Sequence, residues 1–101
     1  PKAKMEWEKV VPLAKEWTKT EPDNTEAWYE LGYAYLSMEK YIKAKEAFIK
    51  SNQCDKNNID PLFELAKLFK EDDPTVAFAY YQKLNQINLD KALEIKDLFE
   101  K

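Results

Sequence analysis

Apolar residues in this chain recur every three or four positions, and the pattern they make returns after thirty-four residues. Ala27, Trp28, Leu31, Tyr35 and Met38 fall at helical spacing. Leu62 follows Trp28 by thirty-four, and Leu65, Ala66 and Phe69 then repeat the registers of Leu31, Gly32 and Tyr35. A period of this length marks a stack of similar helical units, none of which can bury its apolar face alone. No stretch alternates in the manner of a half-buried strand. One glycine and five prolines in 101 residues leave little turn-forming material for a sandwich or barrel. The expected fold class is all-α, with about six antiparallel helices.

Capping residues place the boundaries. Asp23 stands three residues before Glu26, the arrangement of a capping box, with Asn24 as the alternative cap. Tyr41, Ala44, Phe48 and Ser51 carry the next helix to about Gln53. Asn57, Asn58 and Pro61 mark another start, and Asp72-Asp73-Pro74 reads as a stop and a fresh cap with proline in the first turn. Ala77, Tyr80, Tyr81, Leu84 and Ile87 follow, and Asp90 is read as the cap of a last helix holding Ala92, Ile95, Leu98 and Phe99. Near the start, Val10, Leu13, Ala14 and Trp17 are helically spaced around Pro12, which has no N–H to give. A helix beginning near Glu8 or Lys9 would leave Pro12 in the first turn, where that N–H is spare.

Trp28-x2-Leu31-Gly32-x2-Tyr35, followed by Ala44, Phe48 and Ser51, resembles a tetratricopeptide repeat (TPR). Pro22, six residues before Trp28, matches that family's inter-repeat proline. The resemblance implies a short right-handed solenoid of helix pairs: helix B of a partial repeat over 8–21, full repeats over 25–58 and 59–89, and a terminal capping helix over 90–101. Gly32, Ala66 and Ala44 are then small where helices cross closely, and Phe48 fills the space beside them. The second repeat departs from the pattern. Leu62 replaces tryptophan, Leu84 stands where a small residue is expected, and Lys56 and Leu89 replace the proline. The loop before Pro74 is one residue short, which makes Ala77 and Tyr81 the helix-B match, and Glu39 holds a turn position that often carries glycine. The chain opens on Pro1 rather than Met, and we read it as a piece of a longer protein.

The residue inventory argues against catalysis. There is no histidine and no arginine, and all 16 basic residues are lysine. The commonest general base and metal ligand is therefore missing, as is the bidentate fork for phosphate. Cys54 is the one cysteine, and no glycine-rich phosphate loop exists. Asp55 to Asp60 faintly resembles a calcium loop, but Ile59 stands where an oxygen ligand belongs and the turn glycine is absent. No enzyme activity, cofactor or metal site is expected. A net charge of −3 gives no reason to expect nucleic acid, and no apolar run approaches the ~20 residues of a membrane span. A lone cysteine fits a reducing compartment, with a lean to the cytoplasm.

The resemblance implies instead a module that binds a peptide or helix of a partner protein, because the A helices of such a solenoid line its concave groove. The groove-facing residues are expected to be Glu26, Tyr29, Tyr33, Leu36 and Ser37 on the first A helix, and Asp60, Phe63, Lys67 and Lys70 on the second. Tyr29, Tyr33 and Phe63 would be apolar anchors, with Lys67 and Lys70 adding charge. The carboxylate clamp of some chaperone-binding relatives is not supported, since Tyr29, Tyr33 and Glu64 occupy the comparable registers. Two alternatives stay open. The strip could be used internally, with Tyr29 and Tyr33 covered by the first helix and Trp7, or Phe63 by the last helix. Or the chain could be an assembly element that stacks on other copies, or on a larger scaffold, through its ends near Trp7/Trp17 and Leu98/Phe99.

Overall fold

The computed structural model describes residues 4–100; Pro1 and Lys101, which bound the expectations above, lie outside them. Among the described residues six α-helices run in order: α1 (Lys4–Thr20), α2 (Thr25–Ser37), α3 (Tyr41–Cys54), α4 (Ile59–Leu68), α5 (Pro74–Ile87) and α6 (Leu89–Leu93). A 3-10 turn over Lys96–Leu98 follows, and no strand occurs among the described residues. The chain divides into two compact units, Pro1–Lys56 and Asn57–Lys101.

In the first unit α2 packs between α1 and α3. The Asn24 side chain caps α2 by accepting from the Ala27 N–H at 3.2 Å, which decides between Asn24 and Asp23. At the other end Glu39 N–H donates to Leu36 O and Lys40 N–H to Tyr35 O, both at 2.9 Å, which is a Schellman closure. That closure needs a left-handed residue, and Glu39 supplies it at φ 60°, where glycine would be unstrained. Ala27, Ala34, Ala44 and Phe48 have no exposure at all, and a Cβ built on Gly32 would stand 2.8 Å from Phe48 Cδ1. The helix crossing is thus closed by a glycine against a ring.

The turn before α2 is tied to the end of α3. Pro22 O accepts from Trp28 Nε1 at 2.8 Å and from the Cys54 thiol at 3.6 Å, and Ser51 Oγ donates to Thr25 O at 2.9 Å. Burial, then the Asp23 carboxylate, raise the Cys54 pKa against the opposing pull of Lys50, so the thiol is held protonated.

The expected start of the first helix is corrected. α1 is already helical at Lys4 and Pro12 lies in its interior. Pro12 and Glu8 are both exposed, so water can meet the Glu8 carbonyl that the proline leaves unpaired. Packing holds the early turns in place. Ala14 and Thr18 are buried, and Trp7 lies 5.6 Å from Tyr33 of α2.

In the second unit Asn58 caps α4 through the Asp60 N–H at 3.0 Å, and Asp73 caps α5 through the Val76 N–H at 3.3 Å. The core gathers Leu62, Ala66, Tyr81, Leu84, Ala92 and Ile95, with Ile59, Phe63, Tyr80 and Phe99 against it. Ala77 and Tyr81 are buried, in the registers expected of a helix B.

The terminal helix is also corrected. Asn88, not Asp90, is the cap, accepting from the Lys91 N–H at 3.0 Å, and as the one residue between α5 and α6 it turns the chain sharply. α6 ends at Leu93, and the 3-10 turn then folds the chain back instead of continuing to the end. Two contacts draw it back. Ile95 is buried in the core, and Phe99 stacks on Tyr81 at 4.6 Å and 15°.

Tyr81 completes this closure. Its ring is buried while its hydroxyl reaches exposed Glu100, donating to Oε2 at 2.6 Å. That hydrogen bond, then burial, then the carboxylate charge push the phenol from its ordinary 10 up to about 12. A raised acid contributes stability in full below its unfolded value and loses it as pH climbs through the folded one. The protein is therefore expected to lose stability between pH 10 and 12. Tyrosinate absorbance should show one tyrosine ionising at the top of that range, and Glu100→Ala should bring it down. Tyrosines that all ionise near 10 with the fold intact would contradict this contact.

Candidate protein-interaction surfaces

On α2, Tyr29 and Tyr33 stand one turn apart, with ring centroids 6.2 Å apart. Tyr33 also meets Trp7 at 5.6 Å, and Tyr29 meets the buried Phe48 at 5.5 Å. Four rings from three helices thus make a continuous run from the surface to the core, each neighbouring pair within the favourable range for aromatic contact. Tyr33 is the outermost tyrosine of the run, 40% exposed. Trp7 flanks it without covering it, so the internal use foreseen for this strip holds only in part. Tyr29, Leu36 and Ser37 are half-buried and Glu26 is exposed.

In the second unit Phe63 occupies on α4 the register that Tyr29 holds on α2. Its ring carries two ammonium groups, Lys67 Nζ and Lys91 Nζ, each 4.3 Å from the centroid. Each lysine has an acid on its own helix or turn, Lys67 pairing with Glu64 at 3.2 Å and Lys91 with Glu94 at 3.5 Å. Lys91 was missed by the sequence reading. It reaches Phe63 because the chain turns within one residue at Asn88, and nothing in the local spacing signals that. Asp60 is exposed in the first turn of α4, where it suits the helix dipole.

The Lys70 backbone N–H donates to Lys67 O at 3.3 Å, but the residue lies beyond the end of the helix. α4 ends at Leu68, so Lys70 falls in the following loop. There it lines a cleft of about 410 Å³ with Pro74, Phe78, Leu98 and Phe99. The six residues expected to bind a partner therefore form three local groups: Tyr29, Tyr33 and Leu36 on α2; Phe63 with Lys67 on α4; and Lys70 beside the C-terminal turn. They offer aromatic surface and positive charge. Among the described residues no three histidine, cysteine or acidic side chains gather as metal ligands, and no helix is long and apolar enough to cross a membrane.

Comparison with known proteins supports the periodic reading. The tetratricopeptide repeat family matches residues 13–46, one repeat period that takes in the end of α1, all of α2 and the start of α3. Protein O-mannosyl-transferase TMTC3 of Mus musculus is 40% identical over 50 residues, a stretch that covers 50% of this chain and 5% of the mouse protein.

Proposed function

Because residues 13–46 match the tetratricopeptide repeat family, we propose that this chain is a non-catalytic protein-interaction module in which α2 of the first unit and α4 of the second each offer a surface to a peptide or helix of a partner protein. The observation that carries this reading is Tyr33, an exposed aromatic side chain braced by Trp7 on one side and Tyr29 on the other. A ring fixed before binding loses little rotamer freedom when a partner arrives, and aromatic side chains dominate contact energies at such surfaces. Tyr29, Tyr33 and Leu36 supply apolar contact in the first unit. In the second unit Phe63 is covered by Lys67 and Lys91 and packs against the core, so the lysines over it, with Lys70 in the loop beyond, supply charge. The transferase activity named for the mouse relative belongs to a much longer protein and is not part of this reading.

Selection of a displayed peptide library on the full chain tests the proposal, followed by calorimetry of the enriched peptides. Tyr33→Ala is expected to weaken them at least tenfold, as for a binding hot spot. Lys67→Ala should weaken acidic peptides more than neutral ones. Enriched peptides whose affinity neither substitution changes would place binding elsewhere. Circular dichroism of both variants separates lost contact from lost fold.

A further inference from the structure

The strip of residues on α2 has a counterpart on α4 whose contacts show what such a pattern can hold. Thirty-four positions after Glu26, Tyr29, Glu30 and Tyr33 stand Asp60, Phe63, Glu64 and Lys67. On α4 an ammonium group is shared by an acid and a ring, with Lys67 Nζ 3.2 Å from Glu64 Oε1 and 4.3 Å from the Phe63 centroid. Phe63 takes a second ammonium, that of Lys91, also at 4.3 Å. The carboxylate attracts a cation by its charge and the ring face by its quadrupole, so the two act in the same direction. On α2 the acid and the ring recur as Glu30 and Tyr29, but a second ring, Tyr33, takes the place of the lysine.

Charge on this face of α2 is of one sign. At about 100° per residue, Glu26 falls about 20° and Glu30 about 60° from Tyr33. Both acids are exposed, and no lysine occurs from Thr25 to Ser37. Lysines on the neighbouring elements do not cancel them. Lys43 and Lys50 of α3 lie over Tyr35 and Trp28, which stand about 160° and 140° from Tyr33. Half-buried Lys45 of α3 has a partner of its own, and Lys40 lies beyond the end of α2, roughly 10 Å along the axis from Tyr33. Around Trp7 of α1, Lys4 and Lys9 are balanced by Glu6 and Glu8. We propose that the partner segment held by α2 presents a lysine side chain to this face, its ammonium over the exposed Tyr33 ring and beside the Glu30 carboxylate. The first unit then completes with a partner's lysine the arrangement that the second makes with its own. This inference rests on the peptide-binding reading and adds a sign to it: α2 selects positive charge, whereas the lysines over Phe63 favour acids.

The test starts from a random displayed peptide library selected on the full chain, keeping the peptides that Tyr33→Ala weakens. These should share a lysine. Replacing it by norleucine, which keeps the chain length and removes the charge, should weaken binding about tenfold or more by calorimetry. Tyr33→Phe should keep the affinity within about twofold, whereas Tyr33→Leu, still apolar but without a ring, should lose about tenfold. Glu30→Gln should cost about threefold at low salt and less as salt rises, because the pair is exposed and screened. Tyr33 and Glu30 are both exposed, and circular dichroism of each variant checks that the helices persist. Tyr33-dependent peptides without a lysine, or indifferent to norleucine or to Tyr33→Leu, would overturn this inference and leave the peptide-binding reading standing. A library that yields no Tyr33-dependent peptide would overturn both.

Discussion

Phe48→Ala is expected to cost the first unit about 3–5 kcal/mol, a large share of what holds a domain of this size together. Phe48 is fully buried, its ring meets Tyr29 at 5.5 Å, and it presses on the one glycine of the chain. Gly32 makes the sharper half of the prediction. Alanine there would gain about 1 kcal/mol of helix propensity, but its Cβ would stand 2.8 and 2.9 Å from two Phe48 ring atoms. A ring with no exposure cannot move aside, so strain of about 1–3 kcal/mol outweighs the gain and Gly32→Ala destabilises.

With Phe48 already replaced by alanine the obstacle is gone, and Gly32→Ala should become stabilising. The sign reversal is a coupling of more than about 1 kcal/mol between the two positions. Urea unfolding followed by tryptophan fluorescence measures it, because Trp7, Trp17 and Trp28 all lie in the first unit. Additive effects, within about 0.5 kcal/mol, would mean that the ring and the glycine do not share the space described.

Where the sequence could be read, the information was local. Asn58 and Asp73 precede their helices with capping side chains, and both caps form. Gly32, Ala44 and Phe48 are small or large according to a helix crossing that the thirty-four-residue period encodes. Where the reading went astray, the deciding contact came from elsewhere in the chain. Pro12 is a local argument against an early helix start, yet Trp7 is held by Tyr33 on the next helix. The run from Asp90 to Phe99 is helically spaced. Even so, Tyr81 on α5 attracts Phe99 and Glu100 strongly enough to break it.

The candidate surface divides in the same way. Tyr29 and Tyr33 are four residues apart on one helix, and their adjacency follows from the helical period. Lys67 over Phe63 is the same spacing again. Lys91 joins them only through a one-residue turn at Asn88, and Lys70 departs because α4 stops two residues before it. Spacing along one helix predicts neighbours on that helix, whereas loop geometry decides what approaches from the next one.

Leu62→Ala is the second large effect, and it tests whether the second unit has a core in its own right. Leu62 is 1% exposed and belongs to the cluster of Ala66, Tyr81, Leu84, Ala92 and Ile95. Its register is that of Trp28, but the two side chains work differently. Trp28 is half-buried and fixes a turn through its indole N–H, whereas Leu62 is apolar and wholly enclosed. Truncation should therefore cost about 2–5 kcal/mol, and Leu62→Ile, which conserves volume, less than about 1.5 kcal/mol. A unit as short as Asn57–Lys101 buries little surface to offset such a loss. Hydrogen exchange of the α4 and α5 amides is the suitable probe, since the second unit has no tryptophan. Protection there should fall in Leu62→Ala and persist in Leu62→Ile. If alanine leaves it unchanged, α4 and α5 are not held by the cluster that closes around Leu62.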